Sequence, residues 1–319
     1  MTAAQRADGA RRRAASGTDR EWGTRDLSVR FGKRTALDHV TLRAAPGQIG
    51  AVVGGDGAGK STLLGCLAGA VAASQGEVQR PPAARVGYLP SGSGVYPDLT
   101  VAENLAFRAS VYGVSSAVAG QRVTGLLERT GLASARQRLA GQLSGGMRKK
   151  LGVVAAMVHE PELLVLDEPT TGVDPVSRAD VWWLIIIAAS EGAAVIVSTS
   201  YLDEAERTAS VLVLSHGRQL AAGTPAEIMA GVPGALRAIR GRPQEDEQPR
   251  AWLRAGQWRV WDPPGACAPG PARGGAGRDG GSVIQPDLDD AVTVAELGSE
   301  LRPADRVEGA GPGLAGGAR

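Results

Sequence analysis

The apolar positions change rhythm along the chain, and the rhythm predicts alternating strands and helices. LSVRF (27–31) alternates apolar and polar residues, as a half-buried strand does. QIGAVVG (48–54) is a short apolar run that feeds a glycine-rich loop, and STLLGCLAGAVA follows the loop with a helical pattern. TVAENLAFRASVYG opens on Thr100 with Glu103 three residues later, a capping box before a helix. KLGVVAAMVHEP reads as an apolar helix, and LLVLDE (163–168) as a buried strand ending in two acids. AAVIV (193–197) is another buried strand, which breaks into Ser198, Thr199, Ser200 and Tyr201. Residues 25 to about 230 therefore predict one α/β domain.

The apolar run at 181–190, VWWLIIIAAS, is too short to span a bilayer, which takes about 20 residues. It reads as core or interface packing. The first 24 residues are Arg-rich without an apolar centre, so they predict a disordered tail and not a signal peptide. Beyond Gly231 glycine and proline become dense, and PPGACAPGPARGGAGRDGG (263–281) is low complexity. Residues 232–319 predict a small, partly disordered C-terminal region, in which SVIQPDLDDAVTVAEL reads as a short strand and then a helix.

Charge changes this picture little. Basic and acidic residues nearly balance, 35 against 33, which disfavours a nucleic-acid surface. The two cysteines, Cys66 and Cys267, lie too far apart in sequence to suggest a ligand pair, and a cytosolic, disulfide-free chain is the simple expectation. The basic tip Arg148, Lys149, Lys150 reads as a solvated face.

The chemistry lies in three short stretches. GGDGAGKST (54–62) fits G-x-x-x-x-G-K-[ST] through Gly54, Gly59, Lys60 and Ser61. Its glycines let successive backbone N–H groups of Gly55, Asp56, Gly57 and Ala58 wind round phosphate oxygens, and a helix starting there adds its positive end. Lys60 neutralises the β- and γ-phosphates, and the hydroxyl of Ser61, beside Thr62, can ligate Mg²⁺. In LLVLDEP, Asp167 can hold Mg²⁺ directly or through water, and Glu168 can polarise the attacking water as a general base. LSGGMRKK (143–150) precedes the apolar helix; Ser144 with Gly145 and Gly146 would make a second anion nest at a helix start. Two phosphate surfaces suit a site shared between subunits.

With these segments in hand, residues 25 to about 230 resemble the ATP-binding subunit of ABC transporters. GGDGAGKST is similar to Walker A, LSGGM to the ABC signature and LLVLDE to Walker B. TTGVDP (171–175) resembles the D-loop, with Asp174 in its acidic position. GYLPSGSGVYPDLTVAENL is similar to the segment that couples to the membrane subunit, and LSHGRQLAAGTPAEI to the strand pair that closes the domain. The wording resembles most the multidrug and ABC-2-type exporters.

The resemblance implies a P-loop NTPase fold of ABC type. That is a central, mostly parallel sheet flanked by helices, with an antiparallel β part and a helical subdomain at about 92–158. It implies MgATP as substrate and a head-to-tail dimer, homo- or heteromeric, with ATP between Walker A of one subunit and the signature of the other. It also implies an integral permease partner and a place on the inner face of the cell membrane. No nucleic acid partner is expected. Phe31 stands where the family places an aromatic residue against adenine; the alternative is a core residue on the Leu27, Val29, Phe31 face.

The chain departs from the family in two main places and mildly in a third. The family normally ends the strand that opens with AAVIV (193–197) in S-T-H, whose histidine contacts the γ-phosphate, and here Ser200 stands in that place. The only histidines are His39, His159 and His216. The glutamine expected after Tyr88-Leu89-Pro90 is Ser91, and Asp56 replaces the more usual asparagine. MgATP binding with slow hydrolysis, or an ATP-gated regulatory subunit, follows as an expectation. Ordinary activity through waters or partner residues is the alternative.

Overall fold

The computed structural model describes residues 21–265 and 281–300. The chain divides into two compact units, Met1–Ile228 and Met229–Arg319. In the first, the element order is β1 (Trp22–Phe31), β2 (Arg34–Ala44), β3 (Ile49–Val53), α1 (Lys60–Ala68), β4 (Gln75–Gln79) and β5 (Val86–Leu89). Helices α2 (Val101–Val111), α3 (Ser116–Arg129) and α4 (Gly145–Met157) follow. The unit continues with β6 (Leu163–Asp167), α5 (Pro175–Ser190), β7 (Ala194–Thr199), α6 (Leu202–Ala205), β8 (Ser210–Ser215) and β9 (Arg218–Gly223), and the boundary between the units falls within α7 (Pro225–Ala230).

One sheet runs through this unit in the order β4-β1-β2-β9-β8-β3-β7-β6-β5. Strands β8, β3, β7, β6 and β5 are parallel, whereas β4, β1 and β2 pair antiparallel. The central parts of the parallel strands are apolar because both faces are covered, and polar residues such as Asp167, Ser198 and Thr199 enter only at the strand ends. In β6, Leu163 and Val165 pack on the α1 side with Leu63, Leu64 and Leu67. Leu164 and Leu166 pack on the opposite side with Leu151 and Val154 of α4 and Leu184 and Ile185 of α5.

The capping box forms at α2: Thr100 Oγ1 accepts from Glu103 N–H at 3.2 Å and Thr100 N–H donates to Glu103 Oε2 at 2.8 Å. On α5, Val181, Trp182, Leu184 and Ile185 are buried, while Val176, Trp183 and Ile186 are exposed on the other side. No helix among the described residues is long and apolar enough to cross a membrane.

Three expectations change. Strand β1 starts at Trp22, inside the stretch assigned to the tail; Trp22 and Thr24 are buried, with Trp22 opposite Ala44 and Thr24 opposite Leu42. The rest of that tail, residues 1–20, lies outside the described residues, as does most of the low-complexity stretch.

The C-terminal unit is more ordered than its composition suggests. Its described part is a four-stranded antiparallel sheet, β11 (Ala251–Arg254), β12 (Gln257–Asp262), β10 (Ala235–Ile239) and β13 (Ser282–Ile284), with α8 (Leu288–Glu300). Leu236, Trp261 and Val294 form its core. Buried Arg237, paired with Asp262 and Glu247, breaks the apolar alternation that would have revealed the strands.

The basic tip is not a solvated face. Lys150 is buried against Asp180 at 2.9 Å, and Arg148 and Lys149 donate to backbone carbonyls.

Candidate nucleotide site

Strand register brings the candidate chemistry to one edge of the sheet. Val53 at the end of β3 pairs with Thr199 at the end of β7, and Ser198 pairs with Asp167 at the end of β6. The loop 54–59 leaves β3 and turns into α1. Gly54 and Gly59 adopt positive φ, 152° and 105°. A Cβ on Gly54 would stand 2.2 Å from Leu214 O, and one on Gly59 2.8 Å from Ala36 O, so only glycine fits either place. The first-turn N–H groups of α1 have no acceptor within their own helix, which leaves an anion-seeking end facing the cleft.

The cleft measures about 600 Å³ and is lined by residues from three places. Gly55 to Thr62 form its floor. Glu168 stands on one side. Phe31, Arg34, Thr35, Ala36, His216 and Gly217 close the other. The β1–β2 turn and the β8–β9 turn supply this last group. Of these only Phe31 is marked as a site residue in the sequence; His216 and Gly217 fall in a segment read there only as the closing strand pair, and the rest match no motif and reach the cleft through strand pairing. Phe31 is 54% exposed whereas Leu27 and Val29 are buried, so it leaves the core face that those two share.

Lys60 is 5% exposed. Its Nζ donates to Gly54 O at 2.7 Å and Gly55 O at 3.2 Å, and lies 3.3 Å from Glu168 Oε1. An ammonium so buried needs these partners, and an anionic ligand in the cleft offers it a further one.

Asp167 is buried, and its Oδ1 accepts from Ser198 Oγ at 2.5 Å. The same Ser198 Oγ accepts from the Glu168 N–H at 2.9 Å. Sequence reasoning passed over Ser198; its signal was the break of an apolar run into Ser198 and Thr199 beside the acidic strand end. Glu168 has φ +47°, a strained conformation for a non-glycine residue that collects at functional sites. Its carboxylate accepts from Thr171 Oγ1 at 3.0 Å and from Ser200 Oγ at 3.3 Å.

The segment after β7 is fixed by a buried carboxylate. Glu204, fully buried, accepts from Thr199 Oγ1 at 2.6 Å, Thr170 Oγ1 at 3.0 Å and Arg178 Nε at 2.5 Å. Arg178 also pairs with Asp203 at 2.7 Å and lies 4.6 Å over the Tyr201 ring. Glu204 thus ties the segment after Glu168 to the segment after β7.

Ser144, Gly145, Gly146 and Asp174 do not line the cleft. Ser144 caps α4 by accepting from Met147 N–H at 3.2 Å. Asp174 caps α5 through Ser177 N–H at 3.0 Å, and that hydrogen bond holds its carboxyl below the ordinary aspartate range. A Cβ on Gly146 would meet Ser177 Oγ at 2.6 Å and Asp174 Oδ2 at 3.0 Å. The two helix starts therefore pack on each other, away from the loop at 54–59. Ser91 is exposed just past β5, and its carbonyl, not its hydroxyl, is engaged, by Lys149 Nζ at 2.8 Å.

A glycine-wound loop under a helix start, a buried lysine and an acidic pair on the neighbouring strand ends define a nucleotide-binding ATPase domain. The family described as ABC transporter matches residues 37–171. The "Nod factor export ATP-binding protein I" of Cupriavidus metallidurans is 37% identical over 216 residues, 64% of this chain and 71% of that protein. The "Probable multidrug ABC transporter ATP-binding protein YbhF" of Escherichia coli is 41% identical over 198 residues, 59% of this chain. The chain covers 34% of that protein's length. Among solved structures, one titled "Structure of ATP binding subunit of ABC transporter" superposes with a TM-score of 0.61 at 29% identity, covering 66% of this chain and 92% of that one. The chain belongs to the ATP-binding domain family of ABC transporters.

Proposed function

We propose that this chain is the ATP-binding and ATP-hydrolysing subunit of an ABC-type exporter. The observation that carries the reading is the cleft, where Lys60 meets Glu168 at 3.3 Å across the loop and the α1 start. ATP lies with its phosphates on residues 54–62 and its adenine against Phe31. Lys60 leaves the carbonyls of Gly54 and Gly55 for the phosphates, and Glu168, relieved of its ion pair, accepts the proton of the attacking water.

No group of three metal-ligating side chains occurs among the described residues. The donors at hand are the Ser61 hydroxyl and the buried Asp167 carboxylate. Two hard oxygen donors suit Mg²⁺, which keeps waters and takes phosphate oxygens for the rest of its shell. When bound, it would neutralise charge on the β- and γ-phosphates.

Ser144, Gly145, Gly146 and Asp174 serve the nucleotide of a second ATP-binding subunit in a head-to-tail dimer, identical or not. Their position outside their own chain's cleft supports this. The permease partner, the place on the inner face of the membrane and the export direction rest on the relatives, one of which is named for multidrug transport and another for Nod factor export.

A second reading is an ATP-gated subunit with little turnover. Ser200 favours it, because its hydroxyl engages Glu168 and leaves the phosphate side to other groups. Magnesium-dependent ATP hydrolysis by the purified chain, beside Glu168→Gln, separates the two. Turnover that Glu168→Gln abolishes supports the motor. Binding without turnover supports the gated subunit, and absence of binding contradicts both.

A further inference from the structure

Lys149 takes no part in the chemistry proposed above, yet it is held by three backbone carbonyls close to the site. It lies on α4, one turn past the Ser144 cap. Its Nζ donates to Ser91 O at 2.8 Å, Gly92 O at 3.4 Å and Glu168 O at 3.0 Å. An ammonium has three protons, and here each has a carbonyl. Burial lowers the affinity of this amine for its proton, while the Glu168 and Asp167 carboxylates act the other way.

The three carbonyls belong to different parts of the site. Ser91 and Gly92 follow β5, where the family's glutamine is missing. Glu168 follows β6. Lys149 itself rides on the helix that begins at the signature. One side chain therefore connects the signature helix, the segment after β5 and the general base.

The contact with Glu168 is made to its backbone, where strain is stored. Glu168 holds φ +47°. A non-glycine residue stays there only when its surroundings hold it. Its N–H is held by Ser198 Oγ at 2.9 Å, and its C=O accepts from Lys149 Nζ at 3.0 Å and, more weakly, from the Thr171 N–H at 3.4 Å. With both polar atoms of that peptide region gripped, the carboxylate is aimed at Thr171, Ser200 and Lys60.

We propose that Lys149 is a positioning residue that clamps the strained Glu168 backbone and ties it to Ser91 and Gly92. The clamp links the helix start that serves the partner's nucleotide to the general base of its own site, through backbone carbonyls that do not depend on the side chain at position 91. The inference rests on the ATPase reading for its kinetic consequence, but not for the clamp itself.

The test compares wild type, Lys149→Met, Lys149→Arg and Glu168→Gln in the full chain. Two quantities are read: steady-state ATP hydrolysis, and hydrogen exchange without nucleotide at the Glu168 amide, which Ser198 Oγ holds. Met keeps the length of the stem and removes the donors; Arg restores them. Hydrogen bonds to charged groups being among the stronger ones, Lys149→Met is expected to lower kcat about tenfold with KM for ATP within about twofold. Exchange at the Glu168 amide rises in the same variant, while that of β3 and β7 does not, and Lys149→Arg recovers both kcat and protection.

Unchanged exchange in Lys149→Met overturns the clamp. So does a loss of kcat that Lys149→Arg does not recover, or a rise in KM that accounts for the whole effect. Wild-type turnover no greater than that of Glu168→Gln contradicts the ATPase reading instead, and the exchange result then decides the clamp alone.

Discussion

Ser200 Oγ donates to Glu168 Oε1 at 3.3 Å, so the residue that replaces the family's histidine addresses the general base. A serine is too short to extend beyond that carboxylate to the phosphate side. Ser200→His places a longer donor at the end of β7 and is expected to raise ATP turnover about tenfold, a fraction of what a full transition-state donor supplies. ATP affinity should change little, which equilibrium binding with a fluorescent ATP analogue checks.

Ser198 carries two contacts at once, to Asp167 Oδ1 and from Glu168 N–H. Both partners face a buried strand end, and Ser198 itself is fully buried. Ser198→Ala leaves two polar groups unpaired there and should cost about 1–3 kcal/mol of stability. Turnover should fall in addition, since the acidic pair loses its anchor. Denaturant unfolding beside kcat separates the two effects.

Gly146→Ala adds a methyl group 2.6 Å from Ser177 Oγ. The α4 and α5 starts must then separate, at a cost of about 1–3 kcal/mol. Nucleotide binding to the loop at 54–62 should persist, while ATP-dependent dimerisation weakens. Light scattering with ATP in the Glu168→Gln background reads this directly.

His159 gives the fold a pH dependence. It stacks on Tyr112 at 3.7 Å, and burial, with Arg108 and Arg122 nearby, lowers its pKa from 6.5 to about 4. The unfolded chain takes up this proton first as pH falls, so stability is full above about pH 6.5 and declines as pH drops towards 4. The loss from this group reaches up to about 3 kcal/mol. His159→Phe keeps the stacking and should flatten the unfolding curve within that window. An unchanged slope would mean that other groups set it.

Sequence carried the site further than it carried the chain's edges. The loop at 54–62 and the pair Asp167–Glu168 are contiguous motifs whose spacing reflects backbone chemistry, and they were legible. Arg34, His216 and Gly217 were not, because antiparallel turns bring them to the cleft without any sequence signal. Lys149 resembled a surface charge, since its three acceptors are backbone carbonyls that no side-chain pattern encodes. In the C-terminal unit β13 and α8 were legible as a short strand and a helix, whereas β10 to β12 were hidden, in part by a buried ion pair: Arg237 occupies an inward position that an alternation rule assigns to an apolar residue.

The central claim is that the acidic residue after β6 performs the chemistry on ATP bound over Lys60. The most direct measurement is steady-state hydrolysis of ATP with Mg²⁺ by the purified chain beside its Glu168→Gln variant, with ATP binding measured in parallel. The account predicts measurable turnover that falls by about 10²–10⁴-fold in Glu168→Gln while binding is kept. Equal turnover in the two proteins, or no ATP binding to either, would contradict it.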